Sequence, residues 1–363
     1  MEQTNKIIYD VAVVGAGPAG AIFVSRLAKA CPNIKILLID AQNPNNKKPC
    51  GGLLSPSAQK VLAQLDLVLP KDILEDPQIF AVQTIDVEQN LKRYYQRQYL
   101  NMDRYAFDKW LLTFVPSHVT IFKGKCTKIN LQDNVYDLSI VSDDKKTQVF
   151  AKAVVGADGG GSIVRRTFFK PMKHSYVAIQ QWFENKGQPV PPYSCIFDSK
   201  TSDSCSWTIH KANYLIFGGA FAKQRCREAF DNQKARVENH LNLSFGNAVK
   251  TEACLVCSPR TLKDYCTGSN GVFLVGEAAG FISASSFEGL SNAMLSGKLL
   301  ADAFIQGGSY NVTQKLYKKY TRSLRLKLRK RSVKRVVLCS PILRKIIMKS
   351  GVQSIKPYTN KGN

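Results

Sequence analysis

Apolar residues run from Ile7 to Val14, broken by Asp10, and stop at Gly15-Ala16-Gly17-Pro18-Ala19-Gly20. An alanine-rich segment continues to Ala30, and a second apolar run spans Ile34 to Asp40. That order predicts strand, glycine turn, helix and strand, a βαβ unit of just over thirty residues. Pro18 is compatible with the first turn of the helix. From Asp103 to Phe114 the spacing of Phe107, Leu111 and Phe114 predicts a further helix. Between Thr120 and Val155 the period changes to two. Ile129, Leu131, Val135-Tyr136, Leu138, Ile140 and then Val149 to Val155 predict a hairpin meander with a charged turn at Ser142 to Lys146. A more aromatic β region extends from Tyr176 to about Cys257, with one helix at roughly 222–243. The strand Val272 to Val275 then leads into a helix from about Leu290 to Phe304.

Composition adds constraints. Of 363 residues, 44% are hydrophobic, enough for a large core and more than one unit. Residues 1–10 contain Glu2 and Asp10, with no apolar run before the first strand, so no secretory leader is expected. No run approaches the roughly 18 apolar residues of a membrane span; the expected location is cytoplasmic, with membrane contact limited to the periphery. Ten cysteines lack regular spacing, and Cys254-x-x-Cys257 has no second half, so reduced thiols and no metal centre are expected. The net charge is +24, and residues 311–363 hold sixteen Lys and Arg and no acid, which leaves +8 for the preceding 310. The basic character belongs to the tail.

The glycine turn carries the clearest chemistry. Gly15 makes the tight turn, Gly17 lets backbone approach a pyrophosphate, and Gly20 permits close packing, while the helix beginning at Pro18-Ala19 offers free N–H groups and the positive end of its dipole. Asp40, twenty residues beyond Gly20, ends the second strand, where a carboxylate can accept from ribose hydroxyls.

Two later segments resemble known fingerprints. Val154 to Arg166, with Asp158 and Gly159, resembles the second fingerprint of flavoprotein hydroxylases, whose aspartate and glycines lie near the dinucleotide pyrophosphate. Gly271 to Gly280 resembles the third, in which an acid binds the ribityl chain and the next helix, here preceded by Gly289, aims its N-terminus at the isoalloxazine. The chain has Glu277 where that family has Asp. Pro49-Cys50-Gly51-Gly52-Leu53-Leu54-Ser55-Pro56, Arg104 with Phe107-Asp108, and Gly280-Phe281-Ile282-Ser283 resemble the geranylgeranyl reductase family. Ser206 to Lys211 falls where that family has Trp-x-Phe-Pro-Lys, with His210 replacing proline. Tyr176 to Phe183, Tyr193 to Asp198 and Gly276 to Ser286 are similar to its bacterial CbrA-type branch.

The resemblance implies an α/β chain. A Rossmann-type FAD-binding domain would span 1–75, 101–172 and 264–310, an inserted antiparallel β-sheet substrate domain 76–100 and 173–263, and a basic helical segment 311–363. It implies non-covalent FAD and an external reductant, NAD(P)H being a candidate. The expected chemistry is reduction of C=C bonds in an apolar, isoprenoid-like or lipidic substrate; flavin monooxygenation is the alternative, and a flavin-bound membrane or nucleic-acid interaction protein is a third reading. The family's Cys-Gly-Gly loop lies by the reacting face of the flavin, which makes Cys50 a candidate proton donor or simply a small loop residue. Trp207 and His210 are the other catalytic candidates. Trp182, Phe197 and Phe217 are candidate pocket aromatics, and His118, His174 and His240 are read as structural. In the tail, Leu316, Tyr320, Leu324 and Leu328 recur every fourth residue, and Ile342 to Met348 forms a second amphipathic piece after Pro341. Such a stripe can pack on the protein or lie on anionic lipid, with nucleic acid as a competing partner.

Overall fold

Val11–Val14 is buried throughout, as a central strand of a parallel sheet must be. In the computed structural model, which describes residues 7–41, 47–187 and 190–357, this strand lies between two parallel neighbours, Ile36–Asp40 and Val154–Gly156. The full order is Gly268–Ser269, Val272–Leu274, Val154–Gly156, Val11–Val14, Ile36–Asp40 and Thr120–Lys123, with Gly268–Ser269 antiparallel. The helices, in chain order, are α1 (Pro18–Ala30), α2 (Pro56–Gln64), α3 (Arg104–Leu112), α4 (Ile163–Phe168), α5 (Cys226–Leu241), α6 (Leu290–Gly307), α7 (Tyr310–Tyr320), α8 (Arg322–Cys339) and α9 (Pro341–Ser350).

The chain divides into two compact units. The first comprises residues up to 48, 105–174 and 257–330. It contains the parallel sheet and a smaller one, ordered Ile8–Tyr9, Lys145–Ala151, Val135–Ser142 and Lys125–Gln132. The meander predicted from period-two alternation is present, and its turns at Asp133-Asn134 and Asp143-Asp144 have positive φ, which short polar residues tolerate in tight hairpins. Phe23, Phe273 and Phe304 meet edge-on or tilted in the core between sheet and helices. The tail stripe turns inward here: Leu324 and Leu328 belong to this core, Leu316 and Tyr320 pack against it, and the buried Tyr317 hydroxyl donates to Leu274 O at 2.9 Å.

The second unit comprises residues 49–104, 175–256 and 331 onward. Residues 49–75 thus group with the second sheet and 311–330 with the first unit, whereas the resemblance implies that they belong to the nucleotide-binding domain and to a separate basic segment. The sheet order is Lys250–Cys257, Ser175–Glu184, Tyr214–Phe221, Cys205–Lys211, Tyr193–Phe197, Ile79–Asp86, Leu91–Asn101 and Leu53–Leu54. It is mostly antiparallel, with Tyr193–Phe197 parallel to Ile79–Asp86. One face packs on α5 through Phe183, Phe217, Phe221, Phe230 and Phe245. No helix among the described residues is long and apolar enough to cross a membrane.

Candidate functional site

In the first unit the three glycine-rich segments pack on one another. Gly15 has φ +107°, and a Cβ there would lie 2.5 Å from Ala157 O. A Cβ at Gly20 would collide with Gly15 O, and one at Gly297 of α6 with Ala19 O. These three glycines are required by the protein's own packing. Gly17 differs: a Cβ there meets nothing within 4 Å. It is also the N-cap of α1, with no side-chain cap and no acid in the first turn. The turn therefore leaves open space beside uncapped helix amides, the environment an anionic pyrophosphate requires.

Asp158 lies in the second fingerprint. Its Oδ2 accepts from Ile163 N at 2.7 Å and Val164 N at 3.4 Å, while its buried Oδ1 has no partner among the described residues. Burial outweighs these hydrogen bonds and pushes its pKa up. Burial and then the nearby Asp158 carboxylate push the Cys126 thiol up to about 12, so Cys126 is neutral. Gly159 has φ +75°, and a Cβ there would lie 3.4 Å from Lys48 Nζ. Lys48 also pairs with Glu277 Oε2 at 3.2 Å. Glu277 Oε1 accepts from Cys257 N at 2.8 Å, so the longer acid is braced on both oxygens by protein donors. Each carboxylate oxygen retains a second acceptor position for a ribityl hydroxyl. Gly280 has φ +84° and a Cβ would lie 2.8 Å from Asp264 O; Phe281 and Ile282 behind it are buried. Gly289 caps α6 without a side-chain hydrogen bond.

Asp40 ends its strand as predicted, but its Oδ2 takes Lys109 at 3.3 Å and also Lys123. Burial lowers the Lys109 pKa, yet the charge and hydrogen bond of Asp40 outweigh it and raise the net value. Two residues outside the sequence-based set organise this unit. Lys48 brings a cation to the second and third fingerprints. The buried Arg165 donates to Lys170 O, Ala278 O and Asp264 O at 3.1, 3.0 and 2.8 Å, which ties those fingerprints together. An open Gly17 turn, an unpartnered buried carboxylate oxygen and a lysine between the glycine loops fit a dinucleotide such as FAD.

In the second unit, alternation along Cys205–Lys211 sends Trp207, Ile209 and Lys211 to one face and Ser206, Thr208 and His210 to the other. The Ser206 hydroxyl bonds Gln233 of α5, so the second set faces α5. The first set meets the Cys50 loop: a Cβ on Gly51 would lie 2.6 Å from Ile209 Cδ1, and one on Gly52, at φ +66°, would collide with Lys211 Nζ. Cys50 Sγ accepts from Gly52 N at 3.4 Å, and Cys50 O from Gln180 Nε2 at 3.5 Å. Gln180 and Trp182 both donate to Glu252 Oε2, at 2.8 and 2.9 Å. Lys211 is buried and donates to Met102 O at 2.6 Å. Burial holds its ammonium below the ordinary lysine range, against the pull of Cys50, Glu75 and Asp103. Trp207 lies over Gly218, and its indole N–H has no partner among the described residues.

The expected trio of Cys50, Trp207 and His210 is therefore split. His210 points to the α5 face, where its Nδ1 lies 3.2 Å from Asn185 Nδ2. An amide NH₂ only donates, so Nδ1 accepts; burial lowers the His210 pKa and keeps the ring neutral at pH 7. Lys211, the next residue along, takes the place beside Cys50. Phe217 is likewise on the α5 face, stacked on Phe245 at 5.2 Å. Arg104 opens α3 and is half-buried. Cys254 and Cys257 lie three apart on one strand, hence on opposite faces.

Residues 10–185 match the family described as lycopene cyclase protein. The protein CbrA of Escherichia coli O6:H1 is 41% identical over 353 residues, covering 96% of this chain and 94% of that one. Among solved structures, a geranylgeranyl bacteriochlorophyll reductase-like protein from Thermoplasma acidophilum aligns with a TM-score of 0.79 at 20% identity, over 94% of this chain and 91% of that one. The p-nitrophenol 4-monooxygenase PnpA from Pseudomonas putida aligns with a TM-score of 0.71 at 16% identity, over 95% and 93%. The fold is thus one shared with a reductase-like protein and a monooxygenase.

Proposed function

This chain belongs to the CbrA family, and on that premise we propose that it is an FAD-dependent oxidoreductase that reduces C=C bonds of an apolar, isoprenoid-like lipid. The observation that carries the reading is the Gly17 turn, glycine where the protein's own packing does not demand one. Non-covalent FAD would be held by the amides at Gly17, Ala19 and Gly20, by the Asp158–Gly159 loop, and by Glu277 with Lys48. When bound, FAD supplies hydride transfer, with NAD(P)H as the external reductant. Reduction of a C=C bond adds hydride to one carbon and a proton to the other, so the chain must hold a proton donor. Cys50 is proposed for that role: its thiol is half-buried, and Lys211, braced on Met102 O, is positioned to stabilise the thiolate left behind. Trp207 and Trp182 offer apolar surface on the same sheet face.

The test starts from the purified holoprotein reduced without oxygen and mixed in parallel with an isoprenoid lipid and with oxygen. Reoxidation by the lipid, with a saturated product, supports the reductase. Reoxidation by oxygen alone, with hydroxylation of an added aromatic or lipid, would assign the monooxygenase reading supported by the likeness to PnpA.

A further inference from the structure

Helix α9 packs the opposite way to an ordinary surface helix. Its buried residues are Arg344 and Met348. Ile342 and Ile346 are 72% and 60% exposed, and Leu343 and Ile347 are exposed beside them. At 100° per residue these four aliphatic side chains form one stripe opposite Arg344 and Met348, with exposed Lys345 and Lys349 along one edge. The orientation is fixed from inside. Arg344 Nε pairs with buried Asp86 at 2.7 Å, its guanidinium lies 4.8 Å over Phe197, and Arg344 Nη1 donates to Leu338 O at 2.7 Å. Arg93 holds the last turn through Met348 O at 2.8 Å, and Ile355 bridges to Tyr94 just beyond. Rotating α9 to bury its isoleucines would leave Asp86 as an unpaired buried charge, so the apolar stripe is held outward. On the end of α8 in the same unit, Val333 and Val336 are exposed as well.

We propose that the outer face of α9 docks on an anionic lipid surface. Charge selects this occupant. Residues 311–363 carry sixteen basic and no acidic residues, so a second copy would meet like charge. A phosphate backbone would satisfy Lys345 and Lys349 but leave four aliphatic side chains in water. An acidic bilayer takes both, with aliphatics entering the acyl boundary and lysines staying at the headgroups. The docking is separate from the reaction proposed above and concerns residues 331–357 of the second unit.

The full chain is sedimented with phosphatidylcholine vesicles and with vesicles that also contain phosphatidylglycerol. The expected result is binding to the acidic vesicles, weakened by added salt. Ile342→Ser with Ile346→Ser, and separately Lys345→Gln with Lys349→Gln, should each weaken it by about tenfold or more, with circular dichroism and melting unchanged. No binding, equal binding to neutral vesicles, or binding indifferent to the isoleucine pair would overturn the proposal. So would vesicle-free self-association abolished by the isoleucine changes, or binding to a single-stranded RNA probe that outcompetes the vesicles. None of these outcomes bears on flavin content, so failure here is distinguishable from failure of the reductase reading.

Discussion

Gly17 and Gly20 lie three residues apart in one turn, yet a methyl group does different damage at each. At Gly20 it collides with Gly15 O, so Gly20→Ala should destabilise the protein by about 2 kcal/mol or more, read by denaturant titration. At Gly17 it meets only open space; Gly17→Val should fold with near-normal melting and yet purify without flavin. Retained flavin in that variant would refute the placement of the pyrophosphate. Glu277→Gln loses the ion pair to Lys48 and should weaken FAD binding about tenfold without unfolding the chain; unchanged affinity would make the residue a bystander. Lys211 gives a pH signature. A lysine held below its unfolded value binds fewer protons in the native state, so stability should rise with pH from the folded value up to the ordinary range near about 10.4. Relative to Lys211→Met, the native chain should therefore gain thermal stability as pH rises from the depressed folded value of Lys211 to the ordinary lysine range, and a constant difference would contradict the burial argument. The tight turn at Gly15 and the close packing at Gly20 were legible because turn chemistry is local. The side of the sheet reached by His210 was not, since strand parity shows that His210 and Lys211 face apart but not which of them meets the Cys50 loop.

At the scale of elements, the tail illustrates the same limit. The four-residue recurrence of Leu316, Tyr320, Leu324 and Leu328 identified a stripe, and that stripe is buried in or against the first unit's core. Leu324 is 3% exposed, so Leu324→Asp should cost about 3 kcal/mol. Replacing exposed Lys315, Lys318 and Lys319 by Gln should leave stability within about 0.5 kcal/mol; a comparable loss from both changes would mean that charge, not packing, holds α7 and α8. In α9 the sequence showed amphipathicity but not its sense. The direction comes from Asp86, which lies 258 residues before its partner Arg344, and no local pattern records such a pairing. The meander at 120–155 was legible for the converse reason, because its registers are set by neighbouring turns.

At the scale of the whole molecule, the βαβ start of the parallel sheet and a β region from Tyr176 to about Cys257 were anticipated from periodicity, and the antiparallel character of the larger sheet from the family resemblance. Their division of the chain was not fully so: 49–75 joins the second sheet through Leu53–Leu54, a two-residue strand too short to signal itself. One cofactor is central to the proposed reaction, and the most direct measurement is the flavin content of the purified chain. A native spectrum with flavin bands, and release on denaturation of FAD stoichiometric with protein, is the predicted result. A chain that carries FMN, retains its flavin covalently, or binds none when given excess FAD would contradict it.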